Sequence, residues 1–272
     1  MKNLACLCLL IAFFSVGCSN AITYHNTSIT TNGSKAKKRI LAVNADQFTT
    51  AAYKDIHYRL LSPANTISAA KYPLVLVLHG SGAIGTDNQA QLTLLAKYWA
   101  QPNIQQKYPA YILVPQFPVR SSNYTNDVTR NTLVSEPDNC LNSALELIDS
   151  LKKALPINPD KIYIMGFSMG ASSTVNAIGI RPDLFAAGIS VSGIPDFNHI
   201  NELKNIPLWV IHGNADTENP GRTDSFLYHQ LKAARGKLKY TIIEGLAHEV
   251  WPRLYTGEAM PKWLWSKQRN LN

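Results

Sequence analysis

Hydrophobic positions in this chain fall into short runs separated by amphipathic stretches. Residues 73–78 are continuously apolar, the pattern of a strand buried on both faces of a parallel sheet. Residues 110–114 and 161–165 have the same character, and 186–191, 207–211 and 239–243 add three more candidates. Residues 55–61 instead alternate polar and apolar, as a half-buried strand does. Between these runs lie helical patterns at 92–99, 138–155 and 223–234; in the second, Leu141, Leu145, Ile148 and Leu151 recur at helical spacing. Regular alternation of strand and helix predicts an α/β domain with a mostly parallel central sheet and helices on both faces. Pro115 is expected to stop the strand at 110–114. Residues 117–131 are polar, contain Pro and Asn, and show no period. They read as a loop, long enough to suggest a functional role, with Tyr124, Asn126 and Arg130 as its candidate side chains.

The N-terminus departs from this pattern. Lys2 precedes an apolar run at 4–16 that is short for a membrane span, which predicts a signal peptide over 1–17. Ser15-Val16-Gly17-Cys18 resembles a lipobox, which implies lipidation of Cys18 and an exported, membrane-anchored lipoprotein of the bacterial envelope. A periplasmic or secreted protein is the alternative. Residues 18–39 read as a flexible polar and basic linker, and 40–272 as one catalytic domain. Much of the +8 charge sits in Lys35-Ala36-Lys37-Lys38-Arg39, and the other basic residues are scattered without an aromatic-basic module. That excludes a nucleic-acid partner and suits a tether near anionic lipid. After cleavage and lipidation Cys140 stands alone, so no internal disulfide is available, and no Cys/His pair has metal-ligand spacing.

The candidate chemistry centres on Gly166-Phe167-Ser168-Met169-Gly170, which fits G-x-S-x-G between an apolar strand and a helical stretch. Strand, sharp turn and helix make a nucleophile elbow, with the Ser168 hydroxyl raised from the sheet. A serine needs a base, and the base an orienting carboxylate, in the chain order Ser, Asp or Glu, His. Asp216 lies in the loop after the 207–211 strand, with Glu218 and Asp196 as alternatives. His248 follows the last strand and is expected as the base. His79 and His212 end earlier strands, precede glycines, and read as loop braces. Backbone N–H groups of Met169 and Ser81, with Gly82 as the alternative to Ser81, are the expected oxyanion donors. No metal or cofactor is needed for this chemistry.

These motifs resemble the serine esterases of the α/β-hydrolase superfamily, near the polyhydroxybutyrate-depolymerase-like and feruloyl-esterase-like group, which includes predicted peptidases. The resemblance spans roughly 53–267. It rests on 72–82, Gly85-Thr86-Asp87-Asn88, Pro115-Gln116, the elbow, 182–187, His212-Gly213-Asn214-Ala215-Asp216 and His248-Glu249-Val250-Trp251. It implies an α/β-hydrolase fold, with Ser168 as nucleophile, Asp216 as acid and His248 as base. The chain departs from the group at Ala171, where a further Gly is common, and in the spacing of Pro220 after the acid. The implied function is cleavage of carboxylic esters, on a small-molecule or polysaccharide-linked substrate, through an acyl-enzyme. A serine peptidase on the same fold and a non-catalytic surface binding lipoprotein are the alternatives. Trp251 and Gln116 are expected at the substrate pocket, and Trp263 and Trp265 in packing.

Overall fold

The apolar runs become strands of one sheet. The structure, a computed structural model, describes residues 22–26 and 31–269; the expected signal peptide and Cys18 lie outside them. The strands are β1 (Ile22–Asn26), β2 (Thr49–Tyr53), β3 (Ile56–Leu61), β4 (Tyr72–Leu78), β5 (Tyr111–Gln116), β6 (Ser122–Asp127), β7 (Thr132–Pro137), β8 (Ile157–Phe167), β9 (Ala187–Val191), β10 (Leu208–Gly213) and β11 (Leu238–Glu244). The helices are α1 (Thr31–Leu41), α2 (Leu94–Trp99), α3 (Pro102–Lys107), α4 (Asn139–Ala154), α5 (Met169–Ile180), α6 (Ile200–Leu203), α7 (Arg222–Ala233), α8 (Pro252–Thr256) and α9 (Ala259–Trp265). Among the described residues, nine strands join in the order β1-β11-β10-β9-β8-β4-β5-β3-β2. Only β3 pairs antiparallel, with β2 and with β5; every other pairing in this sheet is parallel. This is the α/β-hydrolase fold.

Strand β4 shows why both faces are covered. All seven of its residues are buried. Leu74, Leu76 and Leu78 enter one core with Leu141, Leu145 and Ile148 of α4 and Leu227 of α7. Val75 and Val77 enter the other, with Trp99 of α2, Leu254 of α8 and Leu264 of α9. Each such side chain contributes about 1.5–3 kcal/mol relative to exposure. Asp138 caps α4, its Oδ1 accepting from the Cys140 N–H at 3.3 Å. Trp265 stacks on Trp99 at 5.8 Å between ring centroids, the packing role expected of it.

Three sequence expectations are corrected. Residues 18–39 are not a flexible linker in their described part. Strand β1 pairs residue for residue with β11, Ile22 to Tyr240 through Asn26 to Glu244. Helix α1 buries Ala36 and Ile40 and exposes Lys35, Lys37, Lys38 and Arg39. Its apolar stripe is so narrow that the basic residues around it read as a tether.

Residues 117–131 are not an aperiodic loop either. They contain β6, which pairs antiparallel with β7 from Ser122–Pro137 to Asp127–Thr132. The inward positions of this hairpin are polar. Ser121 and Ser122 bond Ser173 of α5 at 2.8 and 2.9 Å, and Ser135 donates to Asn176 Oδ1 at 2.9 Å. No hydrophobic period exists there to be read.

Pro115 does not stop β5, which runs on to Gln116. Pairing with β4 ends at Leu113, so one edge of the strand is open at Pro115 and the missing N–H costs no ladder bond.

Candidate active site

The elbow is set by what its glycines exclude. Ser168 joins β8 to α5 at φ 57°, ψ −122°, a conformation that side chains other than glycine rarely hold. A Cβ on Gly166 would come within 2.2 Å of the Gly170 carbonyl oxygen, and one on Gly170 within 2.3 Å of the Leu78 carbonyl oxygen. The flanking glycines thus let strand, turn and helix close on one another. The Ser168 N–H donates to the Val191 carbonyl at 2.9 Å, which ties the turn to β9.

Ser168, His248 and Asp216 come together although they lie 80 and 32 residues apart in the pairs that bond. His248 Nε2 is 2.8 Å from Ser168 Oγ, and His248 Nδ1 is 2.7 Å from Asp216 Oδ2. The carboxylate only accepts, so the proton sits on Nδ1 and Nε2 is free to accept from the serine. The loops bearing acid and base are tied directly. A Cβ on Gly213 would fall 2.0 Å from the Leu246 carbonyl oxygen, and the Ala215 N–H donates to that oxygen at 3.1 Å. Phe167 packs on the His248 ring at 4.9 Å.

Asp216 Oδ1 accepts from the backbone N–H groups of Glu218 and Asn219, both at 2.9 Å, which shapes the acid loop ahead of Pro220. The alternatives stand elsewhere. Asp196 pairs with His199 at 2.6 Å, and Glu218 is an exposed residue with Oε2 3.8 Å from His248 Nε2.

His212 binds the same aspartate, as the brace the sequence suggested but at greater depth. It is 1% exposed, with Nε2 3.3 Å from Asp216 Oδ2 and 2.8 Å from the Asn219 carbonyl. Its Nδ1 is 2.6 Å from Asp224 Oδ2 of α7. Burial alone would push His212 down, but its bonds with Asp216 and Asp224 outweigh burial and carry it up to about 10. Burial likewise opposes ionisation of Asp216. The bonds from His212 and His248 and the Asn219 N–H outweigh it and hold the carboxyl below the usual range.

The Met169 N–H opens α5 and so has no intrahelical acceptor, and Ser81 opens a 3-10 turn at Ser81–Ala83 with the same consequence. His79 fixes this turn. Its Nδ1 bonds the Gly80 carbonyl at 2.8 Å and its Nε2 accepts from the Phe117 N–H at 3.0 Å. Ser81 lines a polar cleft with Ser168. Gly82, the alternative donor, follows Ser81 in the same 3-10 turn.

Two expected pocket residues are placed differently. Gln116 is fully buried; it donates to the Ala83 carbonyl and Asp87 Oδ1 and accepts from the Asn88 N–H, so it braces residues 83–88 rather than meeting substrate. Trp251 lines a separate cavity with His25 and Trp209. Arg130 pairs with Asp127 and packs on Phe197, and it lines neither of the spaces at His248 and Ser168.

Two spaces adjoin the site, one lined by His248 and the other by Ser168. One, of about 280 Å³, runs beside His248 between Gly80, Leu94, Leu95, Phe167 and Val250, with Lys37 of α1 at its edge. The other, of about 410 Å³, is polar and is bounded by Ser81, Arg120, Asn123, Tyr124 and Glu218. Lys37 and Arg120 were not legible as site residues. One lay in the expected linker, and the other stood in the stretch without a period.

Comparison with known proteins places the fold in a family. A family model described as phospholipase/carboxylesterase matches residues 65–256, well over half of the chain. The crystal structure of a thermostable esterase superposes with a TM-score of 0.75 at 33% identity, covering 83% of this chain and 64% of that one. NocK, an esterase candidate of Nocardia uniformis subsp. tsuyamanensis, is 28% identical over 184 residues; these are 65% of this chain and 51% of NocK, so the match spans about half of that relative. Acyl-protein thioesterase 1 of Eremothecium gossypii is 24% identical over 202 residues, 68% of this chain and 84% of its own. The chain belongs to the phospholipase/carboxylesterase family of α/β-hydrolases.

Proposed function

We propose that the protein is a serine esterase that cleaves carboxylic esters through an acyl-enzyme. The observation that carries this reading is the unbroken hydrogen-bonded path from Ser168 Oγ through His248 to Asp216, each at the carboxyl end of a different strand. In the reaction, Ser168 Oγ attacks the acyl carbon while its proton passes to His248 Nε2. Negative charge gathers on the former carbonyl oxygen, where the Met169 and Ser81 N–H groups stabilise it. His248 then protonates the departing alcohol oxygen as the C–O bond breaks. A water molecule gives its proton to His248 and attacks the acyl carbon; the acyl C–Oγ bond then breaks as His248 returns the proton to Ser168 Oγ, and the acid leaves. Asp216 holds the ring orientation and balances the imidazolium charge throughout.

The two spaces at His248 and Ser168 support a substrate whose halves differ in polarity. The apolar space suits a hydrocarbon or aromatic portion, and the polar cleft suits a hydroxylated portion facing Arg120 and Tyr124. Ser168→Ala tests the assignment. Hydrolysis of short p-nitrophenyl esters and labelling by a fluorophosphonate probe should both vanish, with an unchanged circular dichroism spectrum. A folded variant that still turns over ester at the wild-type rate would refute it.

A further inference from the structure

A second cavity, of about 340 Å³, opens on the α8/α9 face of the sheet. It shares no lining residue with either space at His248 and Ser168. Trp209 in its floor lies opposite Lys239 in register, four residues before the end of β10. That is about 13 Å below the carboxyl edge where Asp216 and His248 emerge.

Its walls are aromatic. Trp209 and Trp263 face each other at 5.6 Å, and His25 of β1 packs on Trp251 at 5.1 Å. Its polar lining is the Thr241 hydroxyl, which accepts from the Trp209 indole N–H at 3.0 Å, the His25 ring and three basic side chains. Lys239 Nζ sits 3.6 Å over the Trp209 ring, Arg253 sits 5.6 Å over Trp251, and Lys262 stands on the rim. Among the described residues no carboxylate forms an ion pair with Lys239 or Arg253. Glu258, the carboxylate that begins α9, is held by Lys107 and Tyr108, and lies 3.4 Å from Lys262. Burial and the charges of Arg253 and Lys267 push Lys239 below its ordinary range, and burial with Arg253 and Lys239 does the same to His25.

A half-buried lysine beside an arginine, with aromatic faces in place of a counter-ion, is a site of uncompensated positive charge. The arrangement favours an anion, and the indole walls favour one that carries a ring. The volume lies at the low end of small-molecule sites, about 300–1,000 Å³, which suits a single ring. We propose that this cavity binds a ring-bearing carboxylate, with the carboxylate between Lys239 and Arg253 and the ring against Trp209, Trp251 and Trp263.

The five tryptophans make the test site-resolved, because Trp99 and Trp265 lie outside the cavity. The full chain, labelled with 15N, is titrated with glucuronate, with benzoate, and with their neutral counterparts glucose and benzyl alcohol. Saturable shifts of the Trp209, Trp251 and Trp263 indole signals by either acid, with Trp99 and Trp265 still, support the site. Glucuronate alone identifies an acidic sugar, and benzoate alone an aromatic acid. Lys239→Met should weaken binding about tenfold or more, while p-nitrophenyl ester hydrolysis stays at the wild-type rate. Arg253→Gln is the second variant, should Lys239→Met fold poorly. The proposal is overturned if neither acid gives saturable shifts, if the neutral counterparts bind equally, or if affinity survives in the folded variants.

Discussion

His248 and His212 both approach one oxygen of Asp216, Oδ2, at 2.7 and 3.3 Å, and differ in what their second ring nitrogens meet. His248 has a hydroxyl beyond it, 2.8 Å from Nε2. A hydroxyl can give a proton to the ring and take one back. His212 has the Asn219 carbonyl at one nitrogen and the Asp224 carboxylate at the other. Burial pushes the Asp224 carboxyl up and its bond with His212 opposes that; with Asp224 ionised, neither partner has a proton to give, and His212 keeps both of its own. The same side chain beside the same acid thus meets a proton donor on the cleft side and only acceptors on the buried side. What separates them is the group facing the second ring nitrogen, together with burial.

The largest effect comes from removing what the two histidines share. Asp216→Asn replaces an acceptor by an amide whose N–H₂ cannot accept from either ring. The His248 tautomer is then no longer held with its proton on Nδ1. The turnover number on p-nitrophenyl acetate should fall by about 10⁴-fold, with smaller change in KM. A loss of only a few-fold would show that Asp216 does not orient the base.

His212→Gln separates the two roles. It leaves the Ser168–His248–Asp216 path in place but removes the positive charge facing the buried Asp224, whose Oδ1 already lacks a hydrogen-bond partner. Urea unfolding should show a loss of about 3–5 kcal/mol, while turnover of the folded variant falls far less than in Asp216→Asn. The pH dependence has a definite sign. His212 is raised from 6.5 to about 10 on folding, so its contribution is complete below pH 6.5 and declines as pH rises through 10. Asp216 is depressed, so its contribution is present above the ordinary carboxylate range and is lost as pH falls below it. The wild-type urea midpoint should therefore decline from neutral pH toward 10, and the His212→Gln midpoint should lack that decline. Parallel curves for the two proteins would rule out His212 as the buried cation.

This comparison also marks how far the sequence could be read. Ser168, Asp216 and His248 were legible because each follows an apolar strand and their order along the chain is restricted by the chemistry. His212 was legible as a brace, but its partner Asp224 lies twelve residues on, inside the pattern of α7, where a carboxylate reads as a solvated helix residue. Hydrophobic periodicity found the parallel strands because their burial is apolar. It missed the β6–β7 hairpin because Ser121, Ser122 and Ser135 are buried by hydrogen bonds to α5. It missed α1 because only Ala36 and Ile40, with Gly33 against Pro252, mark the buried side. Trp251 follows His248 by three residues, yet its ring turns toward His25 and the second cavity, a direction that spacing along a loop does not fix.

The smallest effect tests what burial contributes to an acid beside His248. Glu218 also faces that ring, with Oε2 3.8 Å from Nε2, but its side chain is 72% exposed where that of Asp216 is 0%. An exposed pair of this kind is worth about 0–1 kcal/mol and is screened by salt. Glu218→Gln should therefore lower turnover by at most about fivefold at low ionic strength, because the carboxylate favours the imidazolium formed as Ser168 gives up its proton. The difference from wild type should shrink as sodium chloride is added, whereas the deficit of Asp216→Asn should not. If Glu218→Gln instead lost as much activity as Asp216→Asn, with no response to salt, the exposed carboxylate would be the working acid and the buried one its support.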